Sequence, residues 1–179
     1  MTATGSTYGE ALYTLARDEG NSHVIYDELK VLSASFDQEP DFIRLLSSPS
    51  LTKAERCQIL DDCFRGKVQP YLLNFLKILT EKGYMRQFPD CVSAYRELYN
   101  KDNGILPVTA VTAVALTESQ TEKLIAKLQS ITGKQIELTN KLDPATLGGM
   151  RLYYDGKRVD DTVSHRLDAV RAMLQNTVL

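Results

Sequence analysis

Asp143, Asp160 and Asp161 are the residues whose type and grouping could most readily do chemistry, because paired carboxylates can serve as general acid and base. Each also has a simpler use. Asp143 precedes Pro144, a pairing that starts turns. Asp160 or Asp161 stands where an N-cap would lie before a helix opening near Val163. His23 reads as a residue near a helix start and His165 as one on a solvent-facing helix surface. Cys57, Cys63 and Cys91 contain no C-x-x-C pair, and a helix would point Cys57 and Cys63 to nearly opposite sides. A zinc site needs converging ligands, so the three read as reduced, buried or incidental thiols. Gly148-Gly149 lacks the Lys and Ser/Thr of a phosphate cradle and suits positive φ or a close backbone approach between strands. No catalytic residue, metal site or cofactor is assigned, and an enzyme is not expected.

Bulk properties narrow the classes further. A chain of 179 residues suits one large or two small domains with real cores. The formal net charge is -2, with 12 basic against 15 acidic residues in 1–105 and 9 against 8 in 106–179. Nucleic-acid binding draws most of its affinity from phosphate contacts, so this balance argues against such a partner. No apolar run approaches the length of a membrane span, so no direct insertion is expected. Residues 1–6 carry neither a basic-then-apolar signal nor an Arg-rich transit pattern, and a membrane is expected to be reached only through a partner.

The elements that must position these residues fall into two groups. Residues 7–102 predict six helices. Tyr8, Ala11, Leu12, Leu15 and Ala16 repeat at three and four. Ser22 is the expected cap of a second helix bearing Ile25, Leu29, Leu32 and Phe36. Pro40 opens a third, and Thr52-Lys-Ala-Glu55 is a capping box for a fourth. Pro70 suits the first turn of a fifth, which Gly83 closes, and a sixth runs from about Phe88. After the polar break Lys101–Gly104 the pattern changes. A strand is expected over Ile105–Leu116, and a helix capped by Thr117 and closed by Gly133 follows it. Further strands carry Ile136, Leu138, Asn140 and Leu142, then Met150, Leu152 and Tyr154, before a turn at Asp155-Gly156. A last helix carries Val163, Leu167, Val170 and Leu174. The expected fold is α+β, with a six-helix bundle over 1–104 and a small α/β domain over 105–179.

The fifth helix carries more apolar surface than one core needs. Leu72, Leu76 and Leu79 form one stripe, and Tyr71, Phe75 and Ile78 form a second beside it. A helix apolar over so much of its girth is central to a core or leaves a face for a partner.

The run Leu142–Gly156, with Arg158 to Leu167 behind it, resembles the C-terminal signature of the delta subunit of bacterial F-type ATP synthase. That family includes the mitochondrial oligomycin-sensitivity-conferring protein. Its usual form is Asp-Pro-(Ser/X)-Leu-Ile-Gly-Gly, a strand, Asp-Gly-Ser-Val and a closing helix. Asp143, Pro144, Leu147, Gly148, Gly149, Asp160, Val163 and Leu167 fit it, while Thr146 and Asp161 depart. Tyr8-x-x-Ala-Leu12 with Leu15-Ala16, Leu45-x-x-x-Pro49, Lys53 and Asn74-Phe75-Leu76…Leu79-x-Glu81 extend the resemblance over essentially the whole chain. Tyr84 departs where the family often has Arg after Asn-Gly.

The resemblance implies a non-catalytic stator subunit, present once per complex, which ties the catalytic head to the peripheral stalk so that proton-driven rotation yields ATP. It implies that helices one and five receive the N-terminal helix of an alpha subunit at Tyr8, Ala11 and Ile78, with Leu15, Phe75 and Leu79 as neighbours. It also implies that the C-terminal domain holds the stalk's b subunits. The place implied is the cytoplasmic face of the bacterial cell membrane, peripherally, through the complex. The alternative weighed is an RNA-binding helical bundle similar to a transcription-antitermination factor, which should carry a basic stripe that residues 1–105 do not offer.

Overall fold

A computed structural model describes residues 2–48, 50–146 and 148–162. The chain resolves into two compact units, Met1–Tyr99 and Asn100–Leu179. Among the described residues are seven α-helices, two short 3-10 helices and four strands, a mixed α+β fold in which six of the α-helices precede the first strand.

In the first unit, α1 spans Ala3–Asp18 and α2 Ser22–Gln38, followed by α3 Pro40–Leu46 and α4 Lys53–Phe64, with α5 Pro70–Lys82 and α6 Phe88–Asp102 beyond them. The starts of α3 and α5 carry Pro in the first turn, where a missing N–H costs nothing. At α4 the capping box forms: Glu55 N–H donates to Thr52 Oγ1 at 3.3 Å, and Thr52 N–H donates to the Glu55 carboxylate at 2.8 Å. Gly83 ends α5 in the left-handed conformation, φ 76°. The start of α2 lies one residue earlier than expected. Asn21 is the N-cap and Ser22 the first helical residue, because the Asn21 carbonyl already accepts from the Ile25 N–H. The Ser22 carbonyl also accepts from the Tyr95 hydroxyl, 2.8 Å away.

The core of this unit gathers Ile25, Leu29, Leu46, Leu60, Leu72, Leu76, Leu79, Met85 and Tyr95, all essentially sealed from solvent. Phe36 contacts the rings of Phe42, Phe64 and Phe88, which joins α2, α3, α4 and α6. Burying one such side chain stabilises the fold by roughly 1.5–3 kcal/mol. At Gly9, α1 crosses α6 so closely that an added Cβ would lie 2.8 Å from the Ala94 Cβ and collide with the Cys91 carbonyl. Thr2 then caps α1 while its N–H and hydroxyl both donate to Asp90 on α6, each at 2.8 Å.

The second unit holds β1 Ile105–Thr112, α7 Glu118–Thr132, β2 Gln135–Leu142, β3 Met150–Tyr154 and β4 Lys157–Asp160. The sheet order is β2-β1-β3-β4, with β1 and β2 parallel and the other pairs antiparallel. Leu106 and Val108 pack with Leu128 of α7, and Leu124, Ile136, Leu138, Leu152 and Tyr154 join them. The capping box at Thr117 and Gln120 and the left-handed Gly133 bound α7 as expected.

Two expectations are corrected here. The first strand stops at Thr112, not Leu116, because the chain turns out of the sheet: the Thr112 hydroxyl donates to the Val114 carbonyl at 2.7 Å. A fourth strand was not anticipated, since Lys157-Arg-Val-Asp160 is nearly all charged. It is formed by the Asp155-Gly156 turn, where φ is 48° and 68°, the two positive values that a tight hairpin requires. The expected last helix over Val163–Leu174, with His165 and Leu167, lies outside the described residues, as do Pro49 and Leu147.

Candidate functional site

Amphipathic spacing on α1 and α5 builds the most coherent open feature of the first unit. Tyr8, Ala11, Leu12 and Leu15 from α1 face Tyr71, Asn74, Phe75 and Ile78 from α5 across a groove of ≈ 280 Å³. Both sets follow the same i, i+3, i+4, i+7 spacing, so two stripes, apolar but for Asn74, make the walls. Leu12 and Phe75 are buried and form the floor. Leu15 and Ile78 are 43% and 44% exposed and form the rims. Ala11 is small and open, so it leaves room above the floor. The Tyr8 ring meets Tyr84, with centroids 5.9 Å apart.

Five of the six anticipated residues, Tyr8, Ala11, Leu15, Phe75 and Ile78, line this groove. Leu79 does not. It is fully buried with Leu72 and Leu76, because its helical phase belongs to their stripe. Leu12, Tyr71 and Asn74 complete the lining and were not among the anticipated residues. Tyr71 was legible as a member of the Tyr71, Phe75, Ile78 stripe, and Leu12 by its one-turn spacing from Tyr8.

The chemistry-bearing residues are occupied with structural work. The Asp143 carboxylate accepts the Ala145 N–H at 3.0 Å, closing a local turn. Asp160 accepts from Arg151 Nε at 2.9 Å, from Arg158, and from the Thr162 hydroxyl and N–H at 2.7 and 3.1 Å. The Thr162 hydroxyl and the two guanidiniums hold its carboxyl far below the usual carboxylate range. Gly149 has φ 79°, and a Cβ there would strike the Asp161 carbonyl and come within 3.1 Å of Thr162 Cα. The paired glycine thus serves a close backbone approach.

His23 is better tied than a helix-surface residue need be: its Nδ1 lies 2.9 Å from the Tyr99 hydroxyl and its Nε2 3.4 Å from Asp27. Burial pushes the Cys91 thiol up to about 11. Burial and the neighbouring Glu81 also raise Cys57, whose thiol donates to Glu81 at 3.7 Å. A raised thiol pKa opposes the thiolate that nucleophilic or redox chemistry needs. Among the described residues no three His, Cys, Asp or Glu side chains are placed to hold a metal ion. Among the same residues, no helix is long and apolar enough to cross a membrane.

Residues 5–174 match the family described as ATP synthase delta (OSCP) subunit. The chain is 31% identical over 172 residues to the ATP synthase subunit delta of Clostridioides difficile (strain 630), covering 96% of this chain and 95% of that one. It is 32% identical over 172 residues to the ATP synthase subunit delta of Alkaliphilus oremlandii (strain OhILAs), covering 96% of each. Its fold is similar to a chain of the Toxoplasma gondii mitochondrial ATP synthase hexamer, with a TM-score of 0.77 at 21% identity over 98% of both chains. The chain belongs to the ATP synthase delta (OSCP) subunit family, and as such is a non-catalytic subunit of that complex. The RNA-binding alternative finds no support in these relationships.

Proposed function

We propose that this chain is the stator subunit that joins the catalytic head of an F-type ATP synthase to its peripheral stalk, with the α1/α5 groove receiving the N-terminal helix of an alpha subunit. The single observation that carries the docking assignment is the groove itself, walled by two stripes of matching helical spacing. An amphipathic helix laid into such a trough is a recurrent recognition mode, read through anchors at three and four spacing. Covering the exposed halves of Leu15 and Ile78 would contribute roughly 1 kcal/mol each.

In this reading the six helices before Gly104 act as one head-binding bundle, and residues 105–179 hold the b subunits. The polar break Lys101–Gly104 lies a few residues beyond the Tyr99/Asn100 division of the two compact units. Contacts on two units of one chain give an avidity neither has alone. One copy per complex, held at the cytoplasmic face of the cell membrane by its partners, resists rotation of the head while the rotor turns.

The test is titration calorimetry of the full chain with a synthetic peptide of the alpha-subunit N-terminus. Saturable one-to-one binding is expected, and Ala11→Asp should abolish it by placing an unpaired charge in the groove. Absence of binding, or an unchanged affinity for Ala11→Asp, overturns the groove assignment.

A further inference from the structure

Of the residues lining the α1/α5 groove, Asn74 alone has neither an apolar nor an aromatic side chain. Polar neighbours on the same helix are bound within the first unit. Lys77 Nζ pairs with Asp61 at 2.7 Å, the Thr80 hydroxyl donates to Met85 Sδ at 3.9 Å, and Glu81 accepts from the Cys57 thiol. Asn74 is exposed, and among the described residues no group exchanges a hydrogen bond with its carboxamide. Asn is also a weaker helix former than Leu or Gln, so neither packing nor propensity accounts for its place.

α1 and α5 run antiparallel, because Tyr8 near the start of α1 meets Tyr84 just past the end of α5. The lining residues span 8–15 on one helix and 71–78 on the other, so Ala11 and Asn74 share the middle level of the trough. A helix docked there has its mid-length backbone donors and acceptors satisfied internally. Covering Asn74 strips water from its carboxamide, and only a guest side chain can replace that water. The carboxamide both donates and accepts, and the small Ala11 at the same level leaves space for a partner. A charged partner would itself have to shed water at a far greater cost.

We propose that Asn74 sets the register of the guest helix by pairing with one uncharged polar side chain, Ser, Thr, Asn or Gln, placed inside the guest's apolar stripe. The proposal rests on the groove reading above and names what that groove selects. A guest displaced by one turn, about 5.4 Å, would bring an apolar residue over Asn74 and leave the carboxamide buried without a partner. A single buried Asn fixes register in coiled coils by the same penalty.

The experiment is a double-mutant cycle by calorimetry, using the full chain and synthetic peptides of the alpha-subunit N-terminus. Each Ser, Thr, Asn and Gln of the peptide is replaced singly by Leu and titrated against the parent and against Asn74→Leu. One replacement should weaken binding to the parent at least ~10-fold, as loss of a desolvated hydrogen bond does. Against Asn74→Leu the same replacement should cost less than ~2-fold or improve binding. Asn74→Leu should leave thermal unfolding unchanged, because the side chain is exposed in the free chain. If every replacement costs the parent and Asn74→Leu alike, the proposal is overturned. The groove reading then stands, provided Ala11→Asp still abolishes binding. If the parent shows no saturable binding to the unaltered peptide, both fall together.

Discussion

Leu79 and Ile78 are adjacent in sequence and opposite in fate: Leu79 is fully buried in the core, and Ile78 is 44% exposed at the groove rim. One helix thus serves two surfaces through neighbouring residues. The pair separates stability from binding. Leu79→Ala should cost about 2–5 kcal/mol of folding stability, as large-to-small changes in sealed cores do. Ile78→Ala should stay within about 1 kcal/mol in stability yet weaken binding of the alpha N-terminal peptide. Chemical denaturation and calorimetry on the same samples check both halves.

Asp90 anchors the start of α1 through two hydrogen bonds from Thr2, and these lower its carboxyl below the ordinary 3.8. A depressed carboxylate contributes stability that is complete above the unfolded value and disappears as pH falls through the folded one. Protection of the first-turn amides of α1, measured against their intrinsic exchange rates, should therefore be lost in the parent as pH falls below the ordinary carboxylate range. Asp90→Asn should exchange faster at neutral pH and lose that acid step.

Asp160 couples Arg151 of β3 to Arg158 of β4 and to Thr162 beyond the hairpin. Because its carboxyl is held so low, its contribution persists well into acid and fades only below the usual carboxylate range. Asp160→Asn should leave two guanidiniums uncompensated and destabilise the second unit at neutral pH. Near-UV signals from Tyr153 and Tyr154 report on this hairpin.

Gly149→Ala should damage the same unit by a different route. The backbone is left-handed there, and the obstructing atoms belong to the Asp161–Thr162 backbone, which cannot rotate aside. A loss of at least ~1–2 kcal/mol is expected from the positive φ, with the steric clash added to it. Thermal unfolding of Gly149→Ala beside Gly156→Ala isolates the clash, since Gly156 has positive φ with open space around it.

Cys91 is buried against α1 with its thiol raised to about 11, while Cys57 and Cys63 are half-buried. A thiol reagent at pH 8 should modify Cys57 and Cys63 first. Cys91 should react only when the first unit opens, so its rate should track denaturant concentration.

Much of this architecture was legible because local signals agreed with the packing. The two capping boxes, Pro40, Pro70, Gly83 and Gly133 mark helix ends through backbone chemistry that needs no tertiary partner. Five groove residues were readable from helical phase combined with family resemblance. Leu79, which the resemblance set beside the groove, lies in the core as its shared stripe with Leu72 and Leu76 indicates. The β4 strand escaped notice because its ladder is held by β3 and the turn, while its own residues read as a solvated charged run. The start of α2 lies one residue early because the Asn21 carbonyl, and not a Ser22 side chain, takes the first helical N–H, that of Ile25.

The two stripes of α5 also have a mechanical meaning. Ile78 and Phe75, which would grip a guest helix, sit within two turns of Leu72, Leu76 and Leu79 at the centre of the bundle. A load on a helix docked there would pass directly into packed interior, with no loop between the contact and the core.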